Sequence, residues 1–572
     1  MENTLAYREK IKYNIPAALV LEKTLPSFEV RIKDGELIIA APDEIELLYG
    51  VYSCAENFYG WDFFEPGRDV FHPHLCKNLP EKDHILIPAV KKKLLHCGFI
   101  QEYAFNESTF AVFDWMAKNK LNYLMVWMSC YDTLTEDMKR FAKERGIIIE
   151  SGHHNFDYLI PREKYKNHPE FFAVRQQDRI NENLVGMPEE SRQLCTTNPA
   201  LREELFKNIL QWHKEHPETD YIGLNPNDGF GWCECENCSR LYDKNRKGAT
   251  YCRSEKYYCA NTIFHDLISY VSKALHKVKP EIVLNFFAYI NYSRPAANFK
   301  LLPGTSVHLA LYWRCINHLI TDQSCAINTG YLRDILEWEK AKAGGLFNIY
   351  EYYQGINFYL GLPMLHFEEM FQEIDFYSRH KVDGVFTQFS NENWSAYGIN
   401  YFLMARASRG EDYHESMRAF YEKRFGKMAE KAEIFYGKLK KLLKKLGDCH
   451  IPHSISFISR VKKEELIQLQ KEAELLSRSC ELLPGKSFSC WMEYMICFRE
   501  LYEKSMDKTL TEKDVKDFLL RIQTNKEYSL FVQDKFARFF GTWLEDVSRK
   551  KVWRYFTEHD WEKEYERHSF IN

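Results

Sequence analysis

Between residues 93 and 410 the chain alternates a strand-like run with a helix-like run eight times, and few folds accept that rhythm. The strand-like runs fall at 93–100, 121–128, 147–150, 221–225, 282–287, 307–313, 345–351 and 383–389. Helical periodicity fills the gaps, as where Leu201, Leu205, Ile209 and Trp212 share one face behind an Asn198-Pro199 start. An open doubly wound sheet uses the same alternation, but eight repeats in this span favour a closed (β/α)8 barrel. The expected fold class is therefore α/β, a TIM barrel over 93–410 with a domain on either side.

Residues 1–92 read as a small α/β domain. Phe28–Ile32 and Glu36–Ala40 flank Lys33-Asp34-Gly35, a hairpin signal, and 44–59 reads as a helix packed on that sheet. From 411 to 572 long Lys/Glu-rich helical runs, such as 414–446 and 462–482, predict an all-helical C-terminal domain. Its lysines Lys438, Lys440, Lys441, Lys444 and Lys445 read as a solvated helix face. With 77 Lys+Arg against 81 Asp+Glu the formal charge is −4, which argues against a nucleic-acid partner. No apolar run reaches the roughly 18 residues that span a bilayer, and no membrane partner is expected. The start lacks an apolar leader and the cysteines are scattered, so a cytoplasmic location with reduced thiols is the expectation. Aromatic residues make up 15% of the chain, enough to line a sugar site as well as a core.

Reacting groups of such a barrel gather where strands end. That rule selects His153 and His154 after strand three, Asn227 and Asp228 after strand four, and Trp313 and Arg314 after strand six. It also selects Glu351 and Tyr352 after strand seven, and Glu392 and Trp394 after strand eight. Carboxylates converging among flat aromatic faces are what hydrolysis of a glycosidic bond requires. The expected roles are Asp228 as general acid, Glu351 as base or nucleophile and Glu392 as a secondary candidate. Asp228 and Glu351 should face each other across the mouth, a geometry that favours the wider, inverting separation. His153 or His154, Asn227, Trp313, Arg314, Tyr352 and Trp394 would contact the substrate. Since neighbours on an extended segment point to opposite sides, only one of the two histidines should reach it. Gly229 would allow a tight turn that aims Asp228 at the cavity.

Beyond Asp228 runs Cys233-x-Cys235-x-x-Cys238, with Cys252 and Cys259 downstream. Three close thiols in a reducing compartment read as candidate zinc ligands, Cys252 or Cys259 supplying the fourth, or else as small side chains packing a loop. No cofactor is required for the chemistry above; a structural zinc is the one metal expectation. Phosphate-binding glycine loops and a nucleophile-elbow serine are absent.

Two sets of residues resemble known families. Leu47-Leu48-Tyr49-Gly50-Val51-Tyr52 with Phe63-Phe64-Glu65-Pro66-Gly67 resembles the domain that precedes the barrel in α-glucuronidases and β-hexosaminidases. Asn227-Asp228-Gly229 through Cys238, Asn198-Pro199 and Tyr350-Glu351-Tyr352-Tyr353 resemble the bacterial family called domain of unknown function 4838. Part of that family is classed as glycoside hydrolase family 163, endo-β-N-acetylglucosaminidases. The resemblance spans about residues 30–420 and implies a carbohydrate substrate, most directly an N-acetylglucosaminide. It also implies a general acid at Asp228. Hexosaminidases carry an Asp-Glu pair where this chain has Asn227-Asp228, a departure from acetamido-assisted catalysis in which Asn227 would have to serve the N-acetyl group. An α-glucuronidase-like hydrolase, a non-catalytic carbohydrate-binding barrel and a zinc hydrolase are the alternatives.

Overall fold

The computed structural model describes residues 4–101, 104–174, 193–219, 221–229, 231–242, 259–312, 314–353, 362, 364–389, 394–444, 458–479 and 485–524. Trp313, Glu392, Cys252 and Lys445 lie outside the described residues.

The N-terminal domain is built on a four-stranded sheet of order β1-β3-β2-β6, comprising β1 (Ala17–Leu21), β2 (Glu29–Lys33), β3 (Glu36–Ala41) and β6 (His84–Ile87). The predicted hairpin is β2–β3, which pairs Lys33 with Glu36. Asp34 and Gly35 both take positive φ, 52° and 79°, the backbone of a two-residue type I′ turn. The helix Glu44–Phe58 begins on Asp43, whose carboxylate accepts the Glu46 N–H at 2.8 Å, and packs on the sheet. A second hairpin pairs β4 (Tyr59–Glu65) with β5 (Arg68–Cys76), after which the chain returns to the first sheet as β6 before it enters the barrel.

Eight parallel strands then close into a barrel, as the alternation predicts. They are β7 (His96–Gln101), β8 (Tyr123–Trp127), β9 (Ile148–Gly152), β10 (Tyr221–Gly223), β11 (Val283–Ala288), β12 (Thr305–Ala310), β13 (Leu346–Glu351) and β14 (Gly384–Gln388). Closure is made by β14 on β7, with Gly384 opposite His96 and Gln388 opposite Ile100. Large side chains such as Tyr123, His308, Tyr350 and Phe386 meet inside the barrel. Small residues make room for them. Gly152 and Gly223 face each other so closely that a Cβ on Gly223 would lie 2.6 Å from the Gly152 Cα. Below the mouth the fully buried Glu150 accepts a hydrogen bond from the Tyr123 hydroxyl at 2.7 Å and lies 2.9 Å from His308 Nε2.

Every described element after 411 is helical. The long helix expected over 414–446 is instead two, Tyr413–Phe425 and Ala429–Leu443, because Gly426 takes a φ of 48° and ends the first. Part of the lysine run is paired, not merely solvated. Lys438 meets Glu472 at 2.6 Å and Lys440 meets Glu369 at 2.7 Å. Among the described residues no helix is long and apolar enough to cross a membrane.

Candidate active site at the barrel mouth

The loop after β10 is firmly anchored to its neighbours. The Asn155 amide donates to the Gly223 carbonyl at 2.6 Å and accepts from the Asn225 N–H at 2.7 Å, locking the ends of β9 and β10 together. Asn225 passes the grip on by accepting from the Phe287 N–H of β11 at 2.5 Å. Asn227 is held on both sides: its backbone exchanges bonds of 2.9 and 2.6 Å with the Gln193 amide, and its side chain donates to Asp157 at 2.8 Å. Asn227 therefore does not offer a free amide to an N-acetyl group, because both ends of that amide are engaged by Asp157. The next residue, Asp228, swings out of this clamp with 69% of its side chain exposed. Gly229 follows at a φ of +112°, which no residue with a Cβ adopts comfortably.

Around Asp228 runs a continuous aromatic wall. His154 Nδ1 bonds to the Pro226 carbonyl at 2.5 Å, and its Nε2 lies 3.9 Å from the Asp228 carboxylate. The His154 ring is 5.9 Å from both Trp127 and Tyr289. The wall continues through Tyr289–Tyr312 at 5.8 Å, Tyr312–Tyr352 at 5.4 Å and Tyr352 stacked on Tyr350 at 4.7 Å. Burial pushes the Tyr289 and Tyr352 hydroxyls well above their ordinary range, so these phenols remain protonated donors. Both histidines belong to the wall, contrary to the strict alternation expected of them. His153 takes a φ of 62°, which turns its ring onto Trp127 at 4.4 Å while leaving it 4.7 Å from His154.

Three of the residues assigned from sequence to the site lie elsewhere. Glu351 is 1% exposed and faces the outer helices, because Tyr350 and Tyr352 occupy the inward parity of that strand end. Its carboxylate accepts from Arg314 at 2.7 Å and from the Tyr377 hydroxyl at 2.5 Å. Burial raises the Glu351 pKa, Arg314 opposes that shift, and the nearby Glu373 adds to it. Glu351 is thus an anchor behind the strand rather than a base or nucleophile facing Asp228. Arg314 does not reach a substrate either, being buried between Glu351 and Glu373. Trp394 is 6% exposed and packs edge-on against Trp115 at 4.5 Å, in the core shared with Phe64. Trp313 and Glu392 lie outside the described residues.

Sequence reasoning passed over Trp127, Tyr289 and Tyr312. Extending the inward parity of Phe287 by two residues would have found Tyr289. It also missed Cys195, whose sulfur joins those of Cys233, Cys235 and Cys238 with all four within 4.8 Å of one another. Cys259 is described and buried but is not one of that group, and the expectation that it completes the set is corrected to Cys195. None of the described cysteines is joined in a disulfide.

Among solved structures, the chain is similar to a family 89 glycoside hydrolase from Clostridium perfringens in complex with PUGNAc. The TM-score is 0.51 and the identity 11%, over 91% of this chain and 67% of that one. A second Clostridium perfringens structure, a doubly substituted CpGH89 in complex with its substrate GlcNAc-alpha-1,4-galactose, aligns with a TM-score of 0.50. Its identity is 12%, over 96% of this chain and 67% of that one. These likenesses are of fold. None of the curated proteins matches the chain. The family model described as Domain of unknown function (DUF4838) matches residues 77–433, more than half of the chain. With its closed barrel and the cysteine-bearing loop inside that match, this protein belongs to the DUF4838 family.

Proposed function

We propose that the barrel mouth hydrolyses a glycosidic bond, with Asp228 as the general acid and an N-acetylglucosaminide as the substrate class. The observation that carries this reading is Asp228 itself, an exposed carboxyl at the end of strand four inside an aromatic wall that suits the faces of sugar rings. Asp228 would donate its proton to the departing glycosidic oxygen as the bond to the anomeric carbon breaks. Trp127, Tyr312 and Tyr352 would hold the ring. Glu392, four residues beyond β14, takes over from Glu351 as the proposed second carboxylate. The family 89 enzyme, which shares the fold, has been captured with PUGNAc and with GlcNAc-alpha-1,4-galactose, and this favours an N-acetylated sugar. A glucuronide is the weaker choice, since Arg314, the cation sequence reasoning placed at the mouth, is already taken by Glu351 and Glu373.

A panel of aryl glycosides, assayed with wild type and Asp228→Asn, tests the proposal. Hydrolysis of N-acetylglucosaminides is expected, and the variant should lose about 10²–10⁴-fold on poor leaving groups but far less on activated ones. Failure of wild type on every glycoside, despite sugar binding, would leave a binding barrel instead. Equal losses on all leaving groups would remove Asp228 from the acid role.

A further inference from the structure

The sulfurs of Cys195, Cys233, Cys235 and Cys238 form a compact group in a region that the glycosidase reading does not use. Cys195 Sγ lies 3.7 Å from Cys235 Sγ and 3.9 Å from Cys238 Sγ. Zinc–thiolate bonds of about 2.3 Å in a tetrahedron put ligand sulfurs about 3.8 Å apart, so these separations match that geometry. They are far too long for a disulfide, whose sulfurs are about 2.05 Å apart. Backbone N–H groups already point at two of the sulfurs: Val174 donates to Cys233 at 3.4 Å, and Cys238 donates to Cys235 at 3.5 Å. Such bonds favour the thiolate form that metal binding needs. Three of the four side chains are buried and the fourth is partly so, which describes a closed site with no position left for a reacting water.

We propose that these four cysteines bind one Zn²⁺ as a structural site. Binding exchanges four S–H bonds for four Zn–S bonds and releases the four protons to solvent. The metal would staple two stretches of chain that are distant in sequence, the segment that enters the helix Pro199–Glu215 and the loop 232–238. That staple bears on Asp228 from both directions. Gln193, two residues before Cys195, clamps the Asn227 backbone with its side-chain amide, which also donates to the Gly229 carbonyl at 3.3 Å, and its backbone N–H donates to the Gly231 carbonyl at 3.0 Å. Cys233 follows Asp228 by five residues. The proposal stands whether or not the mouth hydrolyses a glycoside.

A second group, Cys315, His318 and Cys325, supplies three donors and serves as the internal control. The experiment measures metal by mass spectrometry on the full chain, purified without chelator or histidine tag under reducing conditions, in wild type, Cys195→Ser and Cys315→Ala. One zinc per chain in wild type and Cys315→Ala, with zinc lost in Cys195→Ser, is the expected result. Zinc retained by Cys195→Ser but lost from Cys315→Ala would place the metal at the other group and overturn the proposal. A metal-free wild type, with thiols either free or oxidised, would overturn it too. Should Cys195→Ser fail to fold, cobalt-substituted wild type decides. Sulfur-to-cobalt charge-transfer bands with a tetrahedral four-thiolate spectrum support the site, and a spectrum showing nitrogen donors or octahedral cobalt refutes it.

Discussion

Asp228 keeps 69% of its side chain exposed, so the fold gains little from its charge. Asp228→Asn should therefore change unfolding free energy by no more than about 0.5 kcal/mol, measured by urea titration, even as it removes the proposed acid. Arg314 is the opposite case. It is buried with Glu351 and Glu373, and Arg314→Met would leave two buried carboxylates facing each other without a cation. A loss of about 3–5 kcal/mol is expected in the same titration. Glu351→Gln should be milder, because Arg314 keeps Glu373 and the Tyr377 hydroxyl can still donate to the amide oxygen. A large drop in kcat with unchanged stability in that variant would return Glu351 to the reaction. Gly223→Ala belongs to this scale as well. Its Cβ would press on the Gly152 backbone at 2.6 Å, and overpacking of that kind costs about 1–3 kcal/mol.

The elements of the N-terminal domain are tied to the barrel by buried ion pairs. Arg406, on the barrel's last helix Trp394–Arg409, holds Glu56 at 2.6 Å, and Arg409 on the same helix holds Glu46 at 3.3 Å. From the following helix, Arg424 reaches Asp62 at 2.7 Å. Burial pushes Glu56 and Glu46 upward, yet the cations outweigh it. Arg406, Lys423 and Lys120 hold Glu56 well below its ordinary 4.5, and Arg409 and Lys92 lower Glu46. A depressed native pKa means the unfolded chain binds protons first as pH falls. The stability these carboxylates contribute is complete above pH ~4.5 and is lost as pH drops through their native values. Thermal melts should accordingly be insensitive to these groups near neutrality and fall steeply below pH ~4.5. Glu56→Gln should flatten that fall, and an unchanged acid profile in the variant would show that Glu56 does not control it.

At the scale of the whole molecule, the boundary at 411 separates two compositions but not two cores. One apolar cluster runs from Phe64 through the barrel to Phe518. Phe420 packs against Phe64 at 5.3 Å and Phe402 at 6.2 Å, so the first C-terminal helix closes over both the N-terminal domain and the barrel. A chain ending at residue 410 would expose this surface and lose the Arg424–Asp62 pair. It should yield aggregated protein by size-exclusion chromatography, whereas a soluble monomeric barrel from that truncation would mean the helices are dispensable.

The eight strands could be read from the sequence because each is a buried parallel strand, which demands a nearly continuous apolar run of its own. The place of Asp228 was equally legible, since a residue just beyond a barrel strand must lie at the mouth. Which way a strand-end residue faces is another matter. Parity inverts with a shift of one residue, and only the inward packing of Tyr350 and Tyr352 decides that Glu351 points out. A single positive φ at His153 likewise brings both histidine rings to one wall. Cys195 lies 38 residues before Cys233 with no motif to link them, and only the packing of two distant segments brings their sulfurs together. Local periodicity determined the elements, while the facing of their side chains and the pairing of remote ones were decided by how the barrel closes.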